Sequence, residues 1–290
     1  MVQPADSVDH VRRELQRRMR LMLTGSATPP VHDPTRVDPG LFGPASSAWR
    51  VHADTSMFVG GLRALLLQTL HPLAMAGVAD HSDYRHDPLG RLQRTAGYVG
   101  ITTYGTTAEA KAMIARVRKI HTRVTGIAPD GRPYDARDPR LLGWVHVTEV
   151  DSFLAAYQRY GSRRLSPAEC DEYLAQSAVI ARRLGVVDPP VTVRMLRRQL
   201  GEFRAELHGT VEARDAARFL LVEPPLPLAA RPPYLLLAAA SVALLPAWTR
   251  WPLRLPFLPV SEKLLVGPAG DALTGLIRWS MQPEGRVRAE

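Results

Sequence analysis

Apolar residues in this chain recur at three- and four-residue spacing almost from end to end, and alternation with a period of two is nearly absent. Such a pattern can bury its apolar stripes only by packing helix on helix. Residues 6–23 read as an arginine-rich amphipathic helix, and 25–47, laden with Pro, Gly and Asp, as a long irregular connection. A strongly apolar helical segment spans 60–79, with His71-Pro72 inside it, and a polar turn at 80–90 leads to a helix over about 91–103. Thr106 with Glu109 forms a capping box that starts the helix carrying His121. Turn chemistry marks 127–139 as a loop, followed by a long helix over about 138–160. Ser166-Pro167-Ala168-Glu169 opens the next helix, with proline at its first position. Helices at about 192–207, 210–221, 232–247 and 261–278 complete the series. The expectation is one all-α domain of about ten helices over residues 1–290, in which 1–44 form an N-terminal helix and irregular arm.

The apolar segment at 234–248 is too short for the roughly 18–20 residues a bilayer requires, and Pro232, Pro233 and Pro246 bracket it. It reads as a fully buried core helix, and no membrane span is expected. The net charge is +9, but only three of the 37 basic residues are lysines and the arginines are scattered. No nucleic-acid-binding motif accompanies them, so no nucleic-acid partner is expected. Cys170 is the only cysteine, which excludes a disulfide framework, a Cys-based zinc site and an iron–sulfur centre. The first ten residues contain acids and no apolar stretch, so a cytoplasmic location is expected. Self-association is left open, since the 234–248 segment suits an interface as well as a core.

The usual catalytic signatures are missing. There is no phosphate-binding glycine loop, no G-x-S-x-G and no H-E-x-x-H, and Gly97, Gly100 and Gly105 do not follow a strand. What remains are polar residues embedded in apolar helical patterns. His121 falls in register with Met113, Val117 and Val124 on an apolar stripe, and Arg118 lies one turn before it. A buried imidazole there must hydrogen-bond or bind something. Arg91 and Thr95 are four apart and share a face, with Arg94 beside them. His71, just before Pro72, ends an apolar helix and reads as a terminator whose ring could satisfy a freed helix carbonyl. His146 follows Trp144, close to Asp151, with which it could form a hydrogen bond. His10, His32, His52, His86 and His208 occupy polar or irregular surroundings and read as surface residues.

Two kinds of site use these residues together. A non-haem metal site would gather His71, His81, His146 and Asp151, although no two ligands stand three or four apart on one helix. A haem site needs one axial imidazole in a helical apolar pocket and arginines for the propionates. His121 and the arginines near it suit the second slightly better. A haem protein without turnover, a carrier or sensor, stays open beside both.

The stretches Leu67-Gln68-Thr69-Leu70-His71-Pro72, Gly77-Val78-Ala79-Asp80-His81-Ser82, Arg91-Leu92-Gln93-Arg94-Thr95, Tyr104-Gly105-Thr106, Arg116-Val117-Arg118-Lys119-Ile120-His121 and Trp144-Val145-His146 carry a resemblance. In this order they resemble the bacterial family of MpaB-type and rubber-oxygenase (latex-clearing) catalytic domains, over about residues 45–255. The resemblance implies a globin-like, haem-binding helical core holding haem b, with iron bound by the histidine of an R-x-x-H stretch, here Arg118 and His121. It implies a distal R-x-x-x-T stretch, here Arg91 and Thr95. His146 and His71 are placed with the cofactor-binding residues, and Arg91, Arg94 and Thr95 with the catalytic ones. Latex-clearing proteins carry a lysine just before that threonine, which can cap the iron; Arg94 stands there and stays protonated, a poor ligand. The distal side is therefore expected to be open or water-bound. The implied activity is a haem-dependent oxygenase or peroxidase-like oxidoreductase, using dioxygen or peroxide on a small apolar or aromatic substrate rather than an external polymer.

Overall fold

The computed structural model describes residues 12–17, 37–224 and 226–281. Helix α1 includes residues 12–17. The rest of the expected 6–23 helix, the first part of the irregular arm, His10 and His32 lie outside the described residues. From residue 47 onward the described residues form helices joined by loops, with one small hairpin. The order is α2 (Ser47–Ala53), α3 (Met57–Gln68), α4 (Pro72–His81), α5 (Pro88–Tyr104), α6 (Thr107–His121), β1 (Thr125–Ile127) and β2 (Pro133–Asp135). It continues with α7 (Pro139–Tyr160), α8 (Pro167–Leu184), α9 (Val193–Phe203), α10 (Val211–Val222), α11 (Arg231–Ala243), the single turns α12 (Ala247–Arg250) and α13 (Pro259–Ser261), and α14 (Gly267–Met281). The fold is all-α, as the periodicity requires.

Local chemistry sets these boundaries. Thr106 and Ser166 each accept from the backbone N–H three residues on, while Glu109 and Glu169 reach back to the capping residue. The apolar helical segment over 60–79 is two helices, α3 and α4, bent by 107°, with the break at His71-Pro72 where a helix terminator is expected. Pro72 disfavours helical backbone at the preceding residue, and His71 is extended (φ −89°, ψ 112°). Among the described residues no single helix is long and apolar enough to cross a membrane; only the bent α3–α4 pair has the length and composition.

The loop expected over 127–139 contains a hairpin in which Gly126 pairs with Tyr134. The Tyr134 ring lies so close over Gly126 that a Cβ there would stand 2.4 Å from its hydroxyl. That hydroxyl donates to Asp80 at 2.5 Å and fastens the hairpin to α4.

Helix α7 runs through the centre, with Trp144 and Tyr157 fully buried. It packs on α3, α8, α9 and α2, and α3 approaches closely because Gly60 leaves room for Phe153. Across this contact the buried Arg63 pairs with Asp151 at 2.7 Å and donates to Ser152 Oγ at 2.6 Å and to the Leu244 carbonyl at 2.9 Å. Asp151 therefore belongs to Arg63 and not to His146. Helix α11, expected to be fully buried, is buried on one side only: Ala238, Ala240, Ser241 and Val242 face the core, while Leu235 is half exposed.

Candidate functional site

Helices α5 and α6 meet at the two-residue link Gly105-Thr106 and pack on each other. Helix α5 also packs on α2, and α6 on α8, but neither is among the helices packed on α7. On α7, Val145 is 38% exposed and Glu149 also keeps accessible surface, although almost every neighbour between Leu141 and Phe153 is buried. The two are four apart and share a face. Val145 and Glu149 thus mark a face of α7 that its packed neighbours leave uncovered.

Helices α5, α6 and α7 carry most of the polar and ionisable side chains that the sequence singled out. On α5, Arg91, Thr95, Tyr98 and Thr102 form one stripe at spacings of four, three and four. The stripe faces α7: the Tyr98 hydroxyl is raised far above its ordinary value by burial, with the Glu149 charge adding to it. On α6, His121 shares a face with Ala110, Ile114 and Val117, the side that includes both buried residues of the helix. Counted from the α5–α6 link at 1.5 Å per residue, Arg91 and His121 each stand roughly 20 Å along their helices. They lie at corresponding levels, away from the turn.

His121 Nδ1 is buried without a hydrogen-bond partner, and burial lowers the ring's pKa against a small opposing pull from Asp135. Arg91 is partly buried and its guanidinium lies 5.9 Å from the Tyr84 ring; no carboxylate pairs with it among the described residues. Thr95 is exposed and donates to the Arg91 carbonyl at 3.0 Å. Arg94 is exposed and paired with Asp87 at 3.0 Å, on the margin of the stripe. Arg118 is exposed and lines a separate hollow of about 230 Å³ with Lys111, Ile114, Ala115 and Arg183.

His146 is buried on α7, adjacent to the Val145–Glu149 face. Burial and the nearby Arg182 hold its pKa down at about 4, so the ring is neutral, and Nε2 has no partner. His71 is buried elsewhere. Its Nε2 contacts Glu206 at 3.4 Å and its ring lies 6.4 Å from that of Trp144; it makes no side-chain cap to a helix end. His81 is committed to the Thr125 carbonyl at 3.1 Å. Among the described residues no three His, Cys, Asp or Glu side chains are grouped to hold a metal ion, so the non-haem set of His71, His81, His146 and Asp151 does not assemble.

Sequence reasoning missed two residues. Burial pushes the Glu149 carboxyl up to about 7, and its charge is felt by Tyr98 and by Tyr173 of α8. His52, read as a surface residue, is an interior one: Nδ1 meets Thr103 Oγ1 at 2.8 Å, Nε2 meets the Tyr173 hydroxyl at 3.3 Å, and burial lowers it to about 4. A neutral imidazole has one N–H, so the ring donates in one contact and accepts in the other. Thr103, His52 and Tyr173 form one polar chain, with Glu149 near its Tyr173 end. The signal for Glu149 was a carboxylate in the largely apolar run Trp144–Val150; His52 carried none, because its partners lie 51 and 121 residues away.

Residues 49–279 match the family described as ER-bound oxygenase mpaB/B'/rubber oxygenase, catalytic domain, so the matched region extends beyond the expected end at 255 and includes nearly all of α14. No curated protein and no solved structure matches the chain. The match covers most of the sequence and contains the whole of the α5, α6 and α7 arrangement, and the chain belongs to the mpaB and rubber-oxygenase catalytic-domain family.

Proposed function

We propose that this chain is a haem b-dependent oxygenase that uses dioxygen or peroxide on a small apolar or aromatic substrate held between α5, α6 and α7. The observation that carries the reading is His121, an imidazole facing the interior with a buried nitrogen that no protein group satisfies. The donor set fits haem better than a bare metal ion. The described residues offer one imidazole with an unsatisfied buried nitrogen and an arginine without a carboxylate, and no cluster of additional ligands. His121 would hold the iron, and Arg91 would meet a propionate or polarise the oxidant. Haem, once bound, supplies the redox chemistry that none of these side chains can perform.

The protein's own groups would do the rest. Thr95 would orient a water beside Arg91. Tyr98 and Val145 would wall off bulk water along the substrate path. Glu149, poised near neutrality, would take up or release a proton at its carboxyl oxygen, beside Tyr173 and His52, which burial keeps neutral. Arg118 would stand at the rim, and neutral His146 beside the Val145–Glu149 face. His71 and Arg94 would lie outside this arrangement, held by Glu206 and Asp87. The globin-like form of the core belongs to the same reading.

The test is an absorption spectrum of purified, haem-reconstituted protein. A Soret band that His121→Ala removes supports the assignment, and no Soret absorbance in the wild type overturns it. Substrate oxidation in the presence of dioxygen or peroxide then separates an oxygenase from a carrier.

A further inference from the structure

Distant from α5 and α6, the segment between α12 and α14 presents apolar side chains outward in unusual density. Trp251 is 89% exposed, Val260 and Leu265 69%, and Phe257, Leu258 and Leu264 more than half exposed. Scattered apolar residues on a surface need no explanation, but six within 15 residues form a patch that does. The segment is firmly built. Arg250, almost fully buried, pairs with Glu262 at 2.7 Å, donates to the Pro256 carbonyl at 2.7 Å, and sits 5.4 Å from the Phe257 ring. Arg254 adopts a left-handed backbone (φ 54°), and the chain reverses there, with Leu253 buried and Trp251 outside. A π-helical turn over Glu262–Val266 leaves Leu264 and Leu265 facing out.

The charges select the partner. Arg254 and Lys263 are exposed within the patch and form no ion pair among the described residues, whereas Glu262 is neutralised by Arg250. A symmetric contact between two copies centred here would bring these cations together. We propose that the Trp251–Leu265 segment is a docking platform for the surface of an anionic lipid bilayer. Trp251 and Phe257 would enter the headgroup boundary, with Leu264 and Leu265 beside them, while Arg254 and Lys263 meet lipid phosphates.

Co-sedimentation of the full chain with vesicles tests this. The chain binds phosphatidylglycerol–phosphatidylcholine vesicles, binds pure phosphatidylcholine weakly, and is released by salt. The Phe257→Ser/Leu264→Ser variant loses binding by about tenfold or more, and so does Arg254→Glu/Lys263→Glu. Arg194→Glu/Arg197→Glu, the same change in net charge on exposed residues of α9, retains it. The melting temperature of each variant is read beside binding; Arg254→Glu/Lys263→Glu keeps the wild-type value, and any drop from losing the Phe257–Arg250 contact is thereby separated from loss of binding. Failure to bind anionic vesicles overturns the proposal. So does an equal loss in the α9 variant, or a wild-type dimer that Phe257→Ser/Leu264→Ser converts to monomer.

Discussion

Glu149→Gln should stabilise this protein, and only above a definite pH. Burial raises the carboxyl from 4.5 to about 7. Below pH 4.5 the group is protonated in folded and unfolded chains alike and contributes nothing. Between 4.5 and 7 the unfolded chain ionises while the folded one resists, so native stability falls as pH rises. Above 7 the loss is complete. At 1.36 kcal/mol per pH unit the displacement corresponds to about 3 kcal/mol, and the accessible surface that Glu149 keeps lowers this to about 2–3 kcal/mol. The groups facing it, Tyr98 on α5 and Tyr173 on α8, stay neutral throughout this range because burial pushes both upward. Glutamine keeps the shape and removes the charge. Urea unfolding of cofactor-free protein at pH 4.5 and pH 8 reads the effect, and haem is left out because a bound ligand adds its own stabilisation. The variant should match wild type at pH 4.5 and exceed it by about 2–3 kcal/mol at pH 8. Equal changes at the two pH values would refute the reasoning, as would destabilisation at pH 8.

Arg63→Ala leaves Asp151 charged between α3 and α7 and should cost about 3–5 kcal/mol in urea unfolding, whereas Asp151→Asn/Arg63→Met should recover part of the loss. His146 is lowered to about 4 from an unfolded value of 6.5, so its contribution to stability is present above pH 6.5 and lost as pH falls to 4. His146→Leu should flatten that acid limb while costing less than about 1 kcal/mol at pH 7, because Nε2 has no partner to lose. A variant as acid-sensitive as wild type would count against the burial of a neutral ring. In haem titrations Arg91→Ala should weaken retention about tenfold or more, and Arg94→Ala should leave it unchanged, since Arg94 is turned to Asp87.

The helices were legible because their boundaries are local events. Thr106–Glu109 and Ser166–Glu169 fix two starts from four residues each, and the proline after His71 marks the break between α3 and α4. The hairpin was not, because strands of three residues are too short for a period of two to register. At the site, the shared face of Arg91 and Thr95 and the inward face of His121 follow from helical spacing alone. His52 and Glu149 could not be placed in that way. Each acquires its character from residues brought in by other helices, and only the packing of α2 and α8 on α7, with α5 on α2, makes them interior. His146 and Asp151 show the converse error: nearness in sequence suggested a pair, but Arg63 on α3 claims the carboxylate.

The central claim is that His121 binds haem iron, and absorption spectroscopy of wild type beside His121→Ala addresses it most directly. After reconstitution with haem, the wild type should show one stoichiometric Soret band that shifts on reduction, and His121→Ala should lack it while keeping its helical circular dichroism. A Soret band of equal position and intensity in the two proteins would contradict the claim.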